Sequence, residues 1–215
     1  MILAEERAEV CAYARRMTTD GLVVGTSGNV SVRVGDRVAV TPTGVDYEKL
    51  TAADIPVVAL DGSPVDGELK PTSELPMHLT VYNEAADPDG KPVTAVVHTH
   101  SVYATAVSTL VNEVPPIHYM LAAIGPTARV ARYATYGTER LAKAMLEALD
   151  ERRGCLLANH GTITYGDGLG AAYHRAQQLE WVCQLWLLAR SAGSPSLLPP
   201  AEIEHVVEKL RGYGQ

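Results

Sequence analysis

The chain has 215 residues, a length typical of one globular domain with a sizeable core, and 47% of them are hydrophobic, which excludes a disordered chain. The net charge of −7 argues against a general nucleic-acid binder. No apolar stretch approaches the ~20 residues of a membrane span, and charged residues near the N-terminus argue against a signal peptide. Three widely spaced cysteines indicate no disulfide framework. We therefore expect a cytoplasmic protein that binds neither nucleic acid nor membranes.

Hydrophobic periodicity predicts alternating helices and strands. In chain order these are a helix at 4–18, a strand-and-turn segment at 22–28, strands at 30–34, 37–40 and 54–60, a helix at 72–86, a strand at 93–97, a helix at 101–110, a helix at 138–152, a strand at 155–158, and helices at 169–190 and 201–210. The strand at 93–97 is apolar at every position except Thr94, which indicates burial on both faces. We interpret residues 1–215 as a single mixed α/β domain in which helices cover a sheet.

Three histidines follow the two buried strands of the chain's second half. His98 and His100 are two residues apart, so their side chains are expected on one face, and His160 follows the strand at 155–158. Three imidazoles with an open fourth position are typical of catalytic zinc, although a His-x-His pair also occurs by chance. Glu74, at a predicted helix start and flanked by hydroxyl-bearing residues, is the carboxylate we expect to join the histidines as a metal ligand. His78, along with two others on predicted helices, His174 and His205, is interpreted as a surface or packing residue without a partner.

Three loops combine small hydroxyl side chains with glycine or a helix start. They are Gly25-Thr26-Ser27-Gly28-Asn29, Thr41-Pro42-Thr43-Gly44 and Pro71-Thr72-Ser73-Glu74. Each alone is typical of a plain turn, but together they form a hydroxyl and backbone N–H cradle suited to a phosphate. Neither GxxxxGK[ST] nor GxGxxG occurs, so a nucleotide is not indicated. The combination favours a sugar-phosphate site beside a metal.

Several short runs, in this order and spacing, resemble the class II aldolase/adducin family over nearly the whole chain. They are the runs at 25–31, 41–44, 73–74, 95–100, 117–120, 133–138 and 159–161. The resemblance implies a three-layer α/β/α sandwich with a mainly antiparallel central sheet. It also implies a homotetramer with active sites at subunit interfaces.

The resemblance further implies the residues of the site. One Zn²⁺ per subunit, or another divalent metal, would be held by Glu74, His98, His100 and His160. The substrate phosphate would be held by Gly28, Asn29, Thr43, Gly44, Thr72 and Ser73. Positions 72 and 27 carry Thr and Ser where the family's aldolase usually has serine and alanine, and both remain small.

The implied reaction is reversible cleavage of L-fuculose 1-phosphate, or a close ketose 1-phosphate, to dihydroxyacetone phosphate and an aldehyde. Glu74 would transfer the proton at carbon, and Tyr119 of a neighbouring subunit would serve the C4 oxygen. Tyr136, where the aldolase has phenylalanine, and Tyr213 would line the aldehyde pocket. None of the five lysines stands out as a buried amine, so a Schiff-base route is disfavoured.

Three other functions remain open. One is an aldolase or dehydratase for another phosphoketose, such as a 5-deoxy or methylthio sugar. L-Ribulose-5-phosphate 4-epimerase shares the zinc histidines but has aspartate where Glu74 stands here. A non-catalytic adducin-like interaction module is disfavoured because all four candidate ligands are present.

Overall fold

The computed structural model describes residues 1–211. The α-helices are α1 (Ala4–Thr19), α2 (Leu75–Glu84), α3 (Val102–Ser108), α4 (Glu139–Leu149), α5 (Leu169–Ala192) and α6 (Pro200–Arg211). The strands are β1 (Asn29–Val34), β2 (Arg37–Val40), β3 (Val57–Ala59), β4 (Pro64–Asp66), β5 (Ala95–Thr99), β6 (Val130–Ala131), β7 (Gly154–Leu157) and β8 (Gly161–Gly166). Short 3₁₀ helices occupy Ala52–Asp54 and Tyr119–Ala123.

The eight strands form one sheet in the order β4-β3-β2-β1-β5-β8-β7-β6. Every neighbouring pair is antiparallel except β6 and β7, which run parallel. β5 lies in the middle, between β1 and β8, and all five of its residues are buried. Helices on both faces of the sheet explain this burial, which was predicted from the apolar residues that β5 contains at 95–97.

Helices cover both faces of the sheet, which confirms the expected three-layer sandwich. On one face α1 and α5 pack against β1 and β5, and α3 packs beside α5. On the other face α2 and α4 pack against each other and the sheet. α5 presents a stripe at helical spacing that includes Leu169, Ala172, Tyr173 and Ala176, all buried. The two sides of the sheet thus carry separate apolar cores.

The strand prediction at 22–28 is wrong, since this segment forms turns and pairs with no strand of residues 1–211. Gly25 adopts a φ of 62°, which turns the chain before β1 begins at Asn29. The sequence analysis also missed three strands, namely β4, β6 and β8. β4 and β6 have only three and two residues, too few for an alternating pattern to register.

Among the helices within residues 1–211, none combines the length and the apolar character needed to cross a membrane.

Candidate metal centre

The three histidines meet because β5 and β8 are antiparallel neighbours. Thr99 at the end of β5 pairs with Thr162 near the start of β8, so residues that follow β5 lie beside residues that precede β8. His98 and His100 come from the first strand end, and His160 comes from the turn between β7 and β8. The three ring centroids lie 4.7 to 4.9 Å apart.

Glu74 completes this cluster from the opposite side. It occupies the N-cap position of α2, and its side chain makes no cap hydrogen bond, so the carboxylate is free to point at the imidazoles. Its Oε2 lies 3.0 Å from His98 Nε2, and its Oε1 lies 3.1 Å from His160 Nε2. One ligand atom from each of the four residues, His100 included, lies within 4.8 Å of the others. The predicted ligands are therefore neighbours in space.

The donor set fits a divalent cation. His98 Nδ1 lies 2.7 Å from the Thr162 carbonyl oxygen, which can only accept, so Nδ1 carries the proton and Nε2 faces the cluster. His98 Nε2 is 2.9 Å from His100 Nε2, a contact between two potential ligand atoms. Within residues 1–211, the buried Glu74 Oε1 receives no hydrogen bond. Three imidazole nitrogens and one carboxylate are a set that zinc accepts.

The electrostatics of the cluster favour positive charge at its centre. Burial alone would raise the pKa of Glu74, but the charge of His98 and the polar contacts of His160 and Asn29 together hold it well below its usual range. Burial alone would lower the pKa of His98, yet the Glu74 carboxylate raises it. Burial and the neighbouring imidazoles lower the pKa of His100 to about 3. Glu74 is thus ionised and His100 neutral, as metal ligands require.

A cavity of about 330 Å³ adjoins the cluster. Its walls include all six residues predicted to bind phosphate, together with Glu74, His100, His160 and Tyr136. They also include residues that were not predicted to bind metal or substrate, namely Thr26, Ser27, Pro42, Tyr47, Tyr133, Ala134 and Asn159. Of these, only Tyr47 lies outside the loops and runs named from the sequence. Residues from four loops and a helix start therefore surround one space, which no periodicity in the sequence could reveal.

Two glycines allow the loops around this cavity to approach closely. A Cβ atom at Gly28 would lie 2.7 Å from the carbonyl oxygen of His98, which is closer than real Cβ contacts. Gly137 has a φ of 71°, and a Cβ there would lie 2.7 Å from the carbonyl oxygen of Ser73. Gly137 thereby brings the segment carrying Tyr136 against the predicted phosphate loop.

Of the two remaining predicted residues, Tyr119 lies away from the cavity of its own chain. Tyr119 is 52% exposed, stacks against His118 with ring centroids 4.4 Å apart, and is not among the residues that line the cavity. His118 in turn packs edge-on against Trp181. Tyr213 lies outside the described residues.

His78 differs most from its sequence-based interpretation. It was expected to have no partner, but it is fully buried and contacts Asn29 and Ser31 through its two ring nitrogens. The other two histidines of that group, His174 and His205, are exposed as expected. A signal did exist, because His78 follows Glu74 by one helical turn and so shares its side of α2.

Comparisons with known proteins agree with this geometry. A family model described as the Class II Aldolase and Adducin N-terminal domain matches residues 8–187. The chain is 41% identical over 217 residues to 5-deoxy-D-ribulose 1-phosphate aldolase of Bacillus thuringiensis serovar kurstaki, with 100% of both chains covered. It is 40% identical to L-fuculose phosphate aldolase of Escherichia coli strain K12, over 99% of this chain and 95% of the relative.

A solved structure of an L-fuculose 1-phosphate aldolase superposes with a TM-score of 0.92 at 36% identity, covering 98% of each chain. The similarity thus extends over almost the entire length in both sequence and structure. It confirms the enzyme class expected from the sequence, an aldehyde-lyase of the metal-dependent aldolase type. The chain belongs to the class II aldolase and adducin family.

Proposed function

We propose that this protein is a zinc-dependent aldolase that cleaves a ketose 1-phosphate between C3 and C4, releasing dihydroxyacetone phosphate and an aldehyde. L-Fuculose 1-phosphate is the substrate we propose first. The observation that carries the proposal is the single cavity that joins the Glu74 and histidine cluster to the three hydroxyl-bearing loops. A substrate that spans both ends needs a phosphate at one end and a metal-binding carbonyl and hydroxyl pair beside it.

The phosphate end is formed by neutral groups. Asn29, Thr43, Thr72 and Ser73 offer amide or hydroxyl donors, and the start of the ten-residue helix α2 adds the positive end of its dipole. A protein of net charge −7 repels anions in general, so it needs such local donors to hold a phosphate. We infer that these loops hold the phosphate and thereby fix the sugar carbons relative to Glu74.

The metal cluster would stabilise the negative charge that forms on the substrate, and Glu74 would transfer the proton at carbon. A bound zinc would supply Lewis acidity, stabilising the negative charge that develops on the ketose oxygens as the C3–C4 bond breaks. In the condensation direction the ionised Glu74 takes a proton from the hydroxymethyl carbon of dihydroxyacetone phosphate, and the electron pair left there forms the C3–C4 bond. In cleavage the electron pair of that bond stays with the three-carbon fragment, and Glu74, having taken up a proton from solvent, passes it to that carbon to give dihydroxyacetone phosphate. A carboxylate placed within reach contributes ~10²–10⁴-fold to such a step. Zinc is proposed over other divalent metals because three imidazoles are its usual ligands.

The C4 hydroxyl must lose a proton in the same step. Tyr119 is proposed to exchange this proton with the C4 oxygen: its phenol donates the proton in condensation, and its phenolate takes it in cleavage. Because Tyr119 does not line the cavity of its own chain, it would come from a neighbouring subunit of a homotetramer. Tyr136, with Tyr213, is proposed to contact the aldehyde part of the substrate. Tyr136 lies in the cavity wall, as this role requires.

A second substrate class is supported by a specific observation. The relative from Bacillus thuringiensis, at 41% identity over its whole length, is named an aldolase of 5-deoxy-D-ribulose 1-phosphate. L-Fuculose and 5-deoxyribulose both end in a methyl group, and the cavity wall contains Tyr133, Ala134 and Tyr136 in addition to the phosphate loops. Aromatic and methyl groups suit an apolar substrate end. We therefore propose ketose 1-phosphates with an apolar terminal carbon as the substrate class.

The test is release of dihydroxyacetone phosphate by the zinc-loaded protein. L-Fuculose 1-phosphate and 5-deoxy-D-ribulose 1-phosphate are compared by kcat/KM, with L-ribulose 5-phosphate as the epimerase control and a chelator-treated sample alongside. We expect turnover of ~1–10³ s⁻¹ on at least one ketose 1-phosphate and loss of activity with the chelator. Activity that survives complete metal removal would contradict the zinc mechanism. Interconversion of L-ribulose 5-phosphate without cleavage of either 1-phosphate would contradict the aldolase.

A further inference from the structure

A chain of four buried hydrogen bonds runs from Glu74 away from the cavity. Asn29 Nδ2 lies 2.9 Å from Glu74 Oε2, and Asn29 Oδ1 lies 2.6 Å from His78 Nε2. On the far side of the imidazole, His78 Nδ1 lies 2.7 Å from Ser31 Oγ, which lies 2.7 Å from the Tyr82 hydroxyl. All five residues are buried, and His78 and Ser31 have no exposed surface. The series joins two residues of β1 to three residues at the start and along one side of α2.

The ionised carboxylate fixes the direction of every hydrogen bond in the series. Glu74 can only accept, so Asn29 must turn its NH₂ group toward it and its oxygen toward His78. That oxygen also only accepts, so His78 must carry its proton on Nε2. The unprotonated Nδ1 of His78 then accepts a hydrogen bond from the Ser31 hydroxyl. The Ser31 oxygen in turn accepts a hydrogen bond from the Tyr82 hydroxyl. Each group donates toward Glu74, and no group has an alternative orientation that satisfies both neighbours.

The protonation states of the series agree with this direction. Burial lowers the pKa of His78 to about 3, so its ring is neutral and carries a single proton near neutral pH. Burial raises the pKa of Tyr82, which keeps its hydroxyl a donor. A neutral imidazole with one nitrogen donating and the other accepting is the form that the series needs.

Asn29 faces two anions, which makes its orientation matter. Its Nδ2 donates to Glu74, and the residue also lines the cavity at the proposed phosphate end. A rotated amide would present its oxygen to the carboxylate and would leave His78 Nε2 without an acceptor in a buried position. Leaving a buried polar group without a hydrogen-bond partner is energetically unfavourable. The imidazole therefore holds the amide in the orientation that favours negative charge.

We infer that His78 is a positioning residue, which holds the Asn29 amide so that its NH₂ group orients the Glu74 carboxylate for metal binding and proton transfer. His78 contacts neither the cluster nor the cavity, and it acts through Asn29 alone. The part of this inference that concerns proton transfer rests on the proposed function, whereas the part that concerns the metal does not. Outer-shell partners of this kind typically contribute 10–100-fold to metal affinity or activity.

Two substitutions separate positioning from packing. In His78→Gln the side-chain amide nitrogen reaches about the place of imidazole Nε2 and can still donate to Asn29. In His78→Asn the shorter amide reaches about the place of Nδ1, keeping the bond to Ser31 and losing the donor to Asn29. Both variants disturb the surrounding core to a similar extent, so their thermal stabilities should fall together. They differ in the one hydrogen bond that the inference invokes.

The first readout is the zinc dissociation constant, measured by competition with a chromophoric chelator, and it needs no substrate. We expect a rise of ~10-fold or more for His78→Asn and recovery to within about threefold of the parent for His78→Gln. The second readout is kcat on the ketose 1-phosphate that the parent protein cleaves, with the same ranking expected. Equal losses in both variants would assign His78 to packing, and unchanged affinity and kcat in His78→Asn would remove it from the site. Both results overturn the inference.

A measurement on the unaltered protein covers the case in which either variant fails to fold. Long-range ¹H–¹⁵N NMR spectra of the zinc-loaded full chain report which nitrogen of each imidazole is protonated. We expect His78 to be protonated on Nε2 only, and protonation on Nδ1 or on both nitrogens would overturn the inference. If the parent protein cleaves no ketose 1-phosphate while the zinc affinities rank as expected, the proposed function fails and the positioning role stands.

Discussion

The two roles proposed for Glu74 make opposite demands on its carboxylate. As a ligand it should be held firmly, and Asn29 together with the imidazoles of His98 and His160 surrounds it closely. As a proton carrier it must also reach a substrate carbon, and Glu74 lines the cavity. Its place at the N-cap of α2, without a cap hydrogen bond, leaves the side chain free of the helix itself. A substitution that removes the carboxylate charge of Glu74 but keeps its shape therefore tests both roles.

Glu74→Gln should separate the two roles. The amide keeps an oxygen for the metal, so we expect zinc to remain bound with weaker affinity, because three imidazoles persist. Proton exchange at the hydroxymethyl carbon of dihydroxyacetone phosphate should fall by ~10²–10⁴-fold, because an amide cannot carry the proton. Exchange is followed by loss of deuterium from the labelled compound, and zinc content is measured on the same sample.

The matched control is Glu84→Gln, which makes the same chemical change on the exposed last residue of α2. It should leave both zinc content and exchange unaltered. Exchange at the parent rate in zinc-loaded Glu74→Gln would show that another group carries the proton.

The residues of the site were predictable to different degrees. His98 and His100 were found because a spacing of two places side chains on one face of a strand. The contact between Asn29 and His78 was not found, because it joins residues 49 positions apart and depends on how α2 lies over β1. Tertiary hydrogen bonds of this kind leave no period in the sequence.

At the scale of elements, the most informative omission is β8. No element was predicted there, although a strand is favoured by four β-branched or aromatic residues, Thr162, Ile163, Thr164 and Tyr165. Asn159 has a φ of 56°, a conformation that asparagine tolerates, and it allows the chain to reverse directly into β8. Without β8 the position of His160 beside His98 had no structural explanation. The helices were easier than the strands to predict from the sequence, because their apolar spacing extends over several turns.

A buried ion pair joins the loop after α2 to the start of β7, at the opposite end of that strand from His160. Arg153, immediately before β7, donates to both carboxylate oxygens of Asp87 at 2.7 and 3.0 Å and to Asp89 at 2.6 Å. The side chains of Arg153 and Asp87 are 9% and 3% exposed. Burial alone would raise the pKa of Asp87, but the hydrogen bonds and charge of Arg153 hold it below its usual value. The loop that follows α2 is thereby attached to the sheet.

Arg153→Met should destabilise the protein by about 3–5 kcal/mol at pH 7, because it leaves the Asp87 carboxylate buried without its partner. Since the pKa of Asp87 is lowered by folding, the pair's contribution is fully present above about pH 4 and is lost as pH falls through the folded value. In the variant, burial without Arg153 raises the pKa of Asp87 above its usual value, so Asp87 there is protonated first. The difference in unfolding free energy between parent and variant should therefore begin to shrink above pH 4 and continue to shrink below it. Urea unfolding of metal-free protein at a series of pH values measures it.

Arg132→Met provides the comparison, because Arg132 pairs with Glu147 at 2.8 Å on the surface, where the two side chains are 83% and 51% exposed. Surface pairs contribute ~0–1 kcal/mol, so this variant should differ little from the parent. A difference for Arg153→Met that stays constant down to pH 2 would exclude Asp87 as its source.

At the scale of the whole molecule, the site of one chain lacks the group proposed for the C4 oxygen. Tyr119 lies in a 3₁₀ helix against which α6 packs, and its ring is exposed on the surface together with Trp181, which is 41% exposed. The sequence does not show which surface residues of one chain contact a neighbouring subunit. Our proposal that Tyr119 serves a neighbouring subunit therefore makes activity a property of the assembly.

Subunit mixing tests this proposal directly. Tyr119→Phe and Glu74→Gln should each be inactive as pure assemblies, because each lacks one group in every site. In a cyclic assembly formed by co-expression of both variants, a site is intact when its Glu74 comes from a Tyr119→Phe chain and its tyrosine from a neighbouring Glu74→Gln chain. With random mixing this holds for about one quarter of the sites, so about one quarter of the parent activity should return.

Mixing the two purified variants without subunit exchange should restore nothing, which controls for the additive activity of the separate proteins. If Tyr119 acted within its own chain, every site of a hybrid would still lack one group, and co-expression would also restore nothing. Recovery in hybrids alone requires that the tyrosine cross a subunit boundary, because no other arrangement places an intact tyrosine and an intact Glu74 in one site.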